Sequence, residues 1–268
     1  MKKSIAILLA ALMLLTFGLT GCGTATDSDL KYVQDKGTMV VGITDFEPLD
    51  FKGADGNWTG FDAELAKLVG EKLGVKVEFQ LIEWTKKEAE LAGKTIDCIW
   101  NGLTWSEERA ENMGMTDYYM TNKQVVVTKA ENAEKYATLD SINVAGVKAA
   151  AEGGSAGQDF ITANFKNASF IEKQGQIDVL TELVSGTSDI GVIDFVMANY
   201  LINKEGSQFA GLKIVDGVAP AEAEYYAIAL RKDSDMVAKF NEILKGLKED
   251  GTVEKLAKEY GLVDALVK

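Results

Sequence analysis

Two arginines, Arg109 and Arg231, stand among 28 basic residues, and the chain has no histidine. Without imidazole, Ser-His-Asp triads, Cys-His pairs and HExxH zinc sites are excluded, which leaves carboxylates, Lys, Tyr, Cys and Ser/Thr for chemistry. Arg109 falls in the first turn of a helix that Ser106 is placed to cap, beside Glu107 and Glu108. A cation there opposes the helix dipole, which favours anions at this end by ~0.3–1 kcal/mol. Either it pairs with a neighbouring glutamate on the surface, or its guanidinium fork grips a carboxylate, with amides of Thr104 and its neighbours completing the site. Arg231, in Arg231-Lys232-Asp233 just after a strand, reads as a solvated charge.

Asp194 ends the apolar strand Ile190 to Ile193, and open α/β sheets bind ligands beyond the carboxyl ends of their strands. Its carboxylate either caps the helix that follows, Phe195 to Ile202, or faces a ligand. Glu152-Gly153-Gly154-Ser155-Ala156-Gly157 likewise follows a strand and opens a helix. Its glycines let a ligand approach the backbone and its helix amides face an anion. It has neither the Lys and spacing of a P-loop nor the GxGxxG pattern, which argues against a nucleotide. Phe46, Trp84, Trp100 and Trp105 lie at or near strand ends, where two of the rings would wall a cleft. Cys98, inside Ile96-Asp97-Cys98-Ile99-Trp100, is expected as a small buried thiol and not as a nucleophile.

The elements that must position these residues repeat. Met39 to Ile43 is a strand; Phe61, Leu65, Leu68, Val69 and Leu73 recur at helical spacing, with Thr59 and Asp62 resembling a capping box. Val75 to Leu81, Trp84 to Leu91 and Ile96 to Trp100 then give strand, helix and strand. The same β-α-β-α-β order restarts at Val144, through the helix after Ser155, the strand Ala168 to Glu172, the helix Ile177 to Ser185 and the strand from Ile190. Glu90-Leu91 with Thr95 and Asp97 matches Glu182-Leu183 with Thr187 and Asp189 at the same offsets, so the lobes share one topology. Counting on, the first lobe offers Gly102 where the second offers Asp194. A final helix carries Met236, Val237, Phe240, Ile243, Leu244 and Leu247 on one face. Chain crossings between the lobes are expected near 119–126 and 221–226, as hinges about which the lobes open and close.

Length and charge agree with this plan. With 268 residues, 47% of them hydrophobic, the chain is long enough for two domains of about 100–150 residues. A formal charge of −13 argues against nucleic acid, which needs a basic patch. Lys2 and Lys3 precede an apolar run, Ile5 to Leu19, shorter than the ~20 residues of a membrane span and typical of an export signal. It ends in Leu19-Thr20-Gly21-Cys22, which resembles the bacterial lipobox, with Cys22 as the acylated first mature residue. Removing residues 1–21 takes the charge from −13 to −15. The small, polar stretch Gly23 to Asp29 suits a tether.

From about Gly37 to Leu262 the chain resembles the extracytoplasmic solute-binding proteins of ABC transporters for polar amino acids, family 3, in lipoprotein form. The passages that carry the likeness include Val41-Gly42-Ile43, Phe46-Glu47-Pro48, Trp58-Thr59-Gly60-Phe61-Asp62, Gly102-Leu103-Thr104 with Glu108-Arg109, Gly154-Ser155-Ala156-Gly157, Ile193-Asp194 and Asp250-Gly251-Thr252-Val253. The resemblance implies an α/β fold of the periplasmic binding protein-like II kind, in which two similar lobes, each a mostly parallel sheet flanked by helices, are joined by two hinge strands. It implies a signal peptide at 1–21, a tether and first turn at 22–36, lobe 1 at 37–122 and 226–268, and lobe 2 at 123–225. In such a protein Arg109 grips the α-carboxylate of a free amino acid, helped by Gly102, Thr104 and the amides of Ser155 and Ala156. Asp194 holds the α-ammonium, Phe46 and Trp84 sandwich the side chain, and Asn101 and Glu152 match positions that vary with ligand choice. Ala156 stands where the family often has Thr, so only its amide helps. Glu152 leans the expected ligand toward a cationic or amide side chain. A monomer is expected, anchored by lipid to a bacterial membrane, delivering its ligand to ABC permease subunits, with no cofactor and no catalysis. The rival expectations are an amino-acid-sensing module for a membrane receptor and a dehydratase or lyase on the same fold.

Overall fold

The computed structural model describes residues 28–218 and 223–267, so the export segment and Cys22 lie outside the described residues. Helix α1 (Asp29–Lys36) is capped by the Ser28 hydroxyl and stops at Gly37 in the left-handed conformation. Strand β1 (Thr38–Ile43) follows, then a small hairpin of β2 (Phe51–Lys52) and β3 (Trp58–Thr59), α2 (Phe61–Leu73), β4 (Lys76–Leu81), a 3-10 turn at Trp84–Lys86 continuing into α3 (Lys87–Ala92), and β5 (Cys98–Ile99). Helix α4 (Glu107–Asn112) and β6 (Gly114–Met115) complete the run. The first sheet has the order β4-β1-β5-β14-β6, where β14 is Ala229–Leu230. β1 is parallel to β4 and β5, and β14 runs antiparallel to β5 and β6.

The second sheet repeats this plan. Strands β9 (Lys148–Glu152), β10 (Ser169–Lys173) and β11 (Ile190–Asp194) are parallel, β8 (Gln124–Lys129) runs against β11, and β12 (Leu212–Val215) runs against β8, in the order β10-β9-β11-β8-β12. Helices α6 (Ala156–Asn164) and α7 (Gln176–Ser185) make the crossovers; short α5 (Leu139–Ile142) precedes them and α8 (Phe195–Asn203) follows β11. The matched residues make matched bonds: Asp97 accepts from the Val40 amide at 2.8 Å and Asp189 from the Lys148 amide at 2.9 Å. Thr95 and Thr187 donate their amides to the carbonyls of Glu90 and Glu182, tying each helix end to the strand it feeds. Both sheets are mixed, since each parallel trio takes an antiparallel strand along one side.

Between the sheets, β7 (Met120–Asn122) pairs antiparallel with β13 (Glu224–Tyr226), and these are the two strands that cross. Helices α9 (Met236–Glu249) and α10 (Thr252–Glu259) return to the first lobe. Met236, Phe240, Ile243, Leu244 and Leu247 of α9 are buried as their spacing predicts. No helix among the described residues is long and apolar enough to cross a membrane.

Three sequence expectations need correction. The Thr59 and Asp62 capping box does not form. Gly60 holds the N-cap position at φ 115°, where a Cβ would stand 2.2 Å from the Leu49 carbonyl oxygen. The Thr59 hydroxyl donates to Glu64 instead, and Asp62 turns into the core. Ser28 and Asp29, at the end of the stretch read as a tether, are fastened: the Ser28 hydroxyl donates to Asp235 and Asp29 is buried. Arg231 is not a solvated charge. It is 8% exposed, donates through Nε to Asp29 at 2.9 Å, through Nη1 to the Ile96 carbonyl at 3.0 Å, and reaches Asp97 at 3.4 Å. The second arginine therefore pins α1 and the start of β5 to β14.

Removing one partner of a buried ion pair costs about 3–5 kcal/mol because the other charge stays buried. Lys36 still reaches Asp97, so Arg231→Met falls at the lower end of that range. At ~2–4 °C per kcal/mol for a chain of this size, differential scanning calorimetry is expected to show a Tm lower by roughly 6–12 °C.

Candidate functional site

The carboxyl ends of the parallel strands of both sheets face one another across the cleft. From the first lobe come Phe46 in the loop after β1, Trp84 in the turn after β4, Asn101, Gly102 and Thr104 after β5, and Arg109 in α4. From the second come Glu152 at the end of β9, Ser155 and Ala156 at the start of α6, and Asp194 at the end of β11. These ten residues, all of those expected from the sequence to meet a ligand, line one small cavity of about 10 Å³, together with Gln176. Of the four aromatic candidates, Phe46 and Trp84 line it. Trp100 is fully buried against Tyr119 and Phe240, and Trp105 packs edge-on against Tyr118. A larger, apolar groove between α8 and the C-terminal turn shares none of these lining residues.

Arg109 is 8% exposed and pairs with neither Glu107 nor Glu108. The Ser106 hydroxyl accepts from its amide, as a cap should, while Nη1 donates to the Thr104 carbonyl at 2.6 Å. Nη2 reaches across the cleft to the Gly154 carbonyl at 3.3 Å. The guanidinium is thus held in a fixed plane at the mouth of α6, whose first turn Ser155 opens by accepting from the Gln158 amide.

Asp194 sits at the N-cap of α8 without capping it. Its carboxylate accepts instead from Asn122, from Gln124 Nε2 at 2.7 Å and from Gln176, and its own amide donates to Gln176 Oε1 at 2.9 Å. Burial raises its pKa to about 6, against the pull of these hydrogen bonds. Glu152 is 3% exposed, and its Oε1 has no hydrogen-bond partner among the described residues. Burial first, and the neighbouring Asp194 second, push its pKa to about 8. The second lobe therefore presents a held carboxylate and an unsatisfied one, and the first lobe presents a held guanidinium.

The floor of the first lobe is tied together by hydrogen bonds. Asn101 spends its amide on the scaffold: Oδ1 accepts from the Thr44 amide and hydroxyl, and Nδ2 donates to Asp50 at 2.7 Å. It shapes the cavity without a free donor to offer. Gly102 donates its amide to buried Asp62, which also accepts from the Tyr119 hydroxyl at 2.7 Å. Burial lifts Asp62 to about pKa 7.

Sequence reasoning missed Gln176, Asn122, Gln124 and Glu224, which surround Asp194; Gln124 bridges it to Glu224 at 2.9 Å. Gln176 had a signal, since it opens a helix just past β10, where the strand-end rule looks. The hinge residues Asn122 and Gln124 had none beyond their place in a strand.

The chain matches the profile of bacterial extracellular solute-binding proteins, family 3, over residues 39–263. It is 30% identical to the arginine-binding extracellular protein ArtP of Bacillus subtilis, over 97% of this chain and 98% of that one. A solved ABC uptake transporter substrate binding protein from Streptococcus pneumoniae, with bound histidine, superposes with a TM-score of 0.80 at 30% identity, covering 91% of this chain and all of the other. A cyclohexadienyl dehydratase of Pseudomonas aeruginosa is 25% identical over 74% of each chain.

At Gly102, with φ +55°, a Cβ would lie 2.9 Å from Leu49 and 3.0 Å from Phe46. Gly102→Ala adds left-handed strain of roughly 1–2 kcal/mol and displaces Phe46. A Tm loss of at least about 2 °C, and a shifted Phe46 ring in the crystal, are expected. Topology, cavity and sequence agree: the chain belongs to the bacterial extracellular solute-binding proteins of family 3.

Proposed function

We propose that this protein captures one free amino acid between its lobes and delivers it to an ABC permease, making and breaking no bond. Lobe 1 (37–122 and 226–268) and lobe 2 (123–225) turn about β7 and β13. The observation that carries the reading is that Arg109 and Asp194 reach one cavity from opposite lobes. A zwitterion satisfies both: Arg109, Thr104 and the Ser155 and Ala156 amides take the α-carboxylate, and Asp194 takes the α-ammonium. Either charge buried alone costs several kcal/mol, so the amino acid stabilises the closed arrangement over the open one.

Glu152 sets the side-chain preference. Its unpartnered oxygen, in a pocket walled by Phe46 and Trp84, favours a cationic side chain whose stem lies between rings. The similarity to ArtP supports the same class. The export signal at 1–21 and acylated Cys22 would hold the receptor at the outer face of the bacterial membrane, where a monomer meets the permease. A lyase reading draws on the protonated Glu152 and on the dehydratase relative; a zwitterion clamp with a charge at each end suits capture better, and formation of product from a cyclohexadienyl acid would favour the lyase.

The test is a thermal-shift screen against the common amino acids and ornithine, citrulline and cystine. At 100 times Kd a ligand adds ~2.7 kcal/mol, or roughly 5–11 °C at ~2–4 °C per kcal/mol. L-arginine is expected to give that shift, and Arg109→Ala and Asp194→Ala to abolish it while the unliganded proteins still melt cooperatively. Truncating one partner of a buried charge pair costs ~2–5 kcal/mol, so calorimetry should show Kd rising at least about thirtyfold. Unchanged affinity in either variant would refute its assigned role.

Proton linkage reads the side-chain subsite separately. Glu152 has the ordinary carboxyl value of 4.5 when solvated in an open cleft and about 8 when closed in without a cation. A group raised on closure contributes most below its open value and loses that contribution as pH rises through the closed one. Affinity for L-glutamine is therefore expected to fall between about pH 5 and 8, by at most roughly tenfold per unit. L-arginine, which keeps Glu152 ionised, should hold its affinity over the same range in parallel titrations.

A further inference from the structure

Lys87 is the first residue of α3 and is only 5% exposed, although nothing in its own helix calls for a buried ammonium. A cation at a helix N-terminus opposes the dipole. Its Nζ donates to the Trp84 carbonyl within its lobe at 3.2 Å and to the Gly154 carbonyl of the other lobe at 3.0 Å. Burial, and then repulsion from Arg109, push its pKa down to about 8. Gly154 takes the left-handed φ of +69° that favours glycine, and lies close enough that a Cβ there would touch Lys87 Nζ and Thr85 Cα, each at 3.4 Å. Arg109 reaches the same carbonyl oxygen at the longer distance of 3.3 Å. At the other end of the cleft Lys204 pairs with Glu47 at 2.7 Å, but Lys204 is 46% exposed there, so water competes for it.

We propose that Lys87 latches the two lobes together through the Gly154 carbonyl, and so sets how long the cleft stays closed. The inference rests on the capture reading for its purpose, though not for its test. When the lobes part, Lys87 exchanges the Gly154 carbonyl for water. When they close it crosses the cleft and fixes the loop that opens α6, bringing the Ser155 and Ala156 amides to the Arg109 side. Lys87 need not touch the amino acid; it positions the lobe that does.

Closure can be read without any amino acid. A Cβ at Gly153 would lie 2.9 Å from Thr85 Cγ2 across the cleft, and a cysteine at 85 can place its sulfur where that γ carbon stands, so the two cysteines come within reach of a disulfide. In a Thr85→Cys/Gly153→Cys background the rate of crosslinking by diamide follows the closed fraction. A hydrogen bond to a charged group contributes ~1.5–3 kcal/mol, so Lys87→Met is expected to slow crosslinking roughly 10- to 150-fold. Lys87→Arg should restore most of the rate, and Lys204→Ala should change it by less than about threefold, as exposed pairs do. Reduced Lys87→Met should melt within a few degrees of its parent, since the latch joins the lobes and holds together the core of neither. A crosslinking rate unchanged within threefold, or a larger effect from Lys204→Ala than from Lys87→Met, would overturn the latch. Repeating the assay with L-arginine separates the two ideas: no acceleration in the parent speaks against capture of a cationic amino acid and leaves the latch result standing.

Discussion

Burying an ionised group costs several kcal/mol unless another charge or a set of hydrogen bonds meets it, and the cleft buries Lys87, Arg109, Glu152 and Asp194 together. Each is met differently. Arg109 and Lys87 lean on backbone carbonyls, Asp194 on three side-chain amides, and Glu152 keeps an oxygen unpartnered among the described residues. The cations belong to one lobe and the carboxyl groups to the other, with Glu152 kept protonated by its burial until a cation meets it. Lobe closure is therefore an electrostatic event as much as a steric one, and a molecule with a charge at each end suits the gap between them.

A repeated scaffold delivers this asymmetry. The two lobes share strand order, crossover helices and the aspartate that accepts from the neighbouring strand, Asp97 in one and Asp189 in the other. Five residues beyond those aspartates the copies diverge. Lobe 1 has Gly102, whose missing side chain and left-handed backbone leave room for Phe46. Lobe 2 has Asp194, held by Gln124 and Gln176. One topology supplies equivalent strand ends, and a single difference in residue type gives one lobe a space and the other a charge.

The parts of the site legible in the sequence are those fixed locally. Asp194 ends an apolar strand, Arg109 sits three residues past a cap, and Glu152 to Ala156 join a strand to a helix, so pattern and spacing find them. What stayed hidden depends on residues far apart in the chain. Arg231 looks solvated beside Lys232 and Asp233 because its partners Asp29 and Asp97 lie 202 and 134 positions away. Asn101 looks available to a ligand because Thr44 and Asp50, which take its amide, lie 57 and 51 positions away. Asp62 looks like a cap until Gly102 and Tyr119 turn it inward. Periodicity carries the elements and strand ends carry the site; how each buried polar group is satisfied needs the third dimension.

Small-angle X-ray scattering with L-arginine titrated into the protein tests closure about the β7 and β13 hinge most directly. The radius of gyration should fall to a plateau at one equivalent, and the saturated profile should match the closed arrangement in which Lys87 and Arg109 reach Gly154. A radius unchanged while calorimetry records stoichiometric binding would contradict closure as the means of capture.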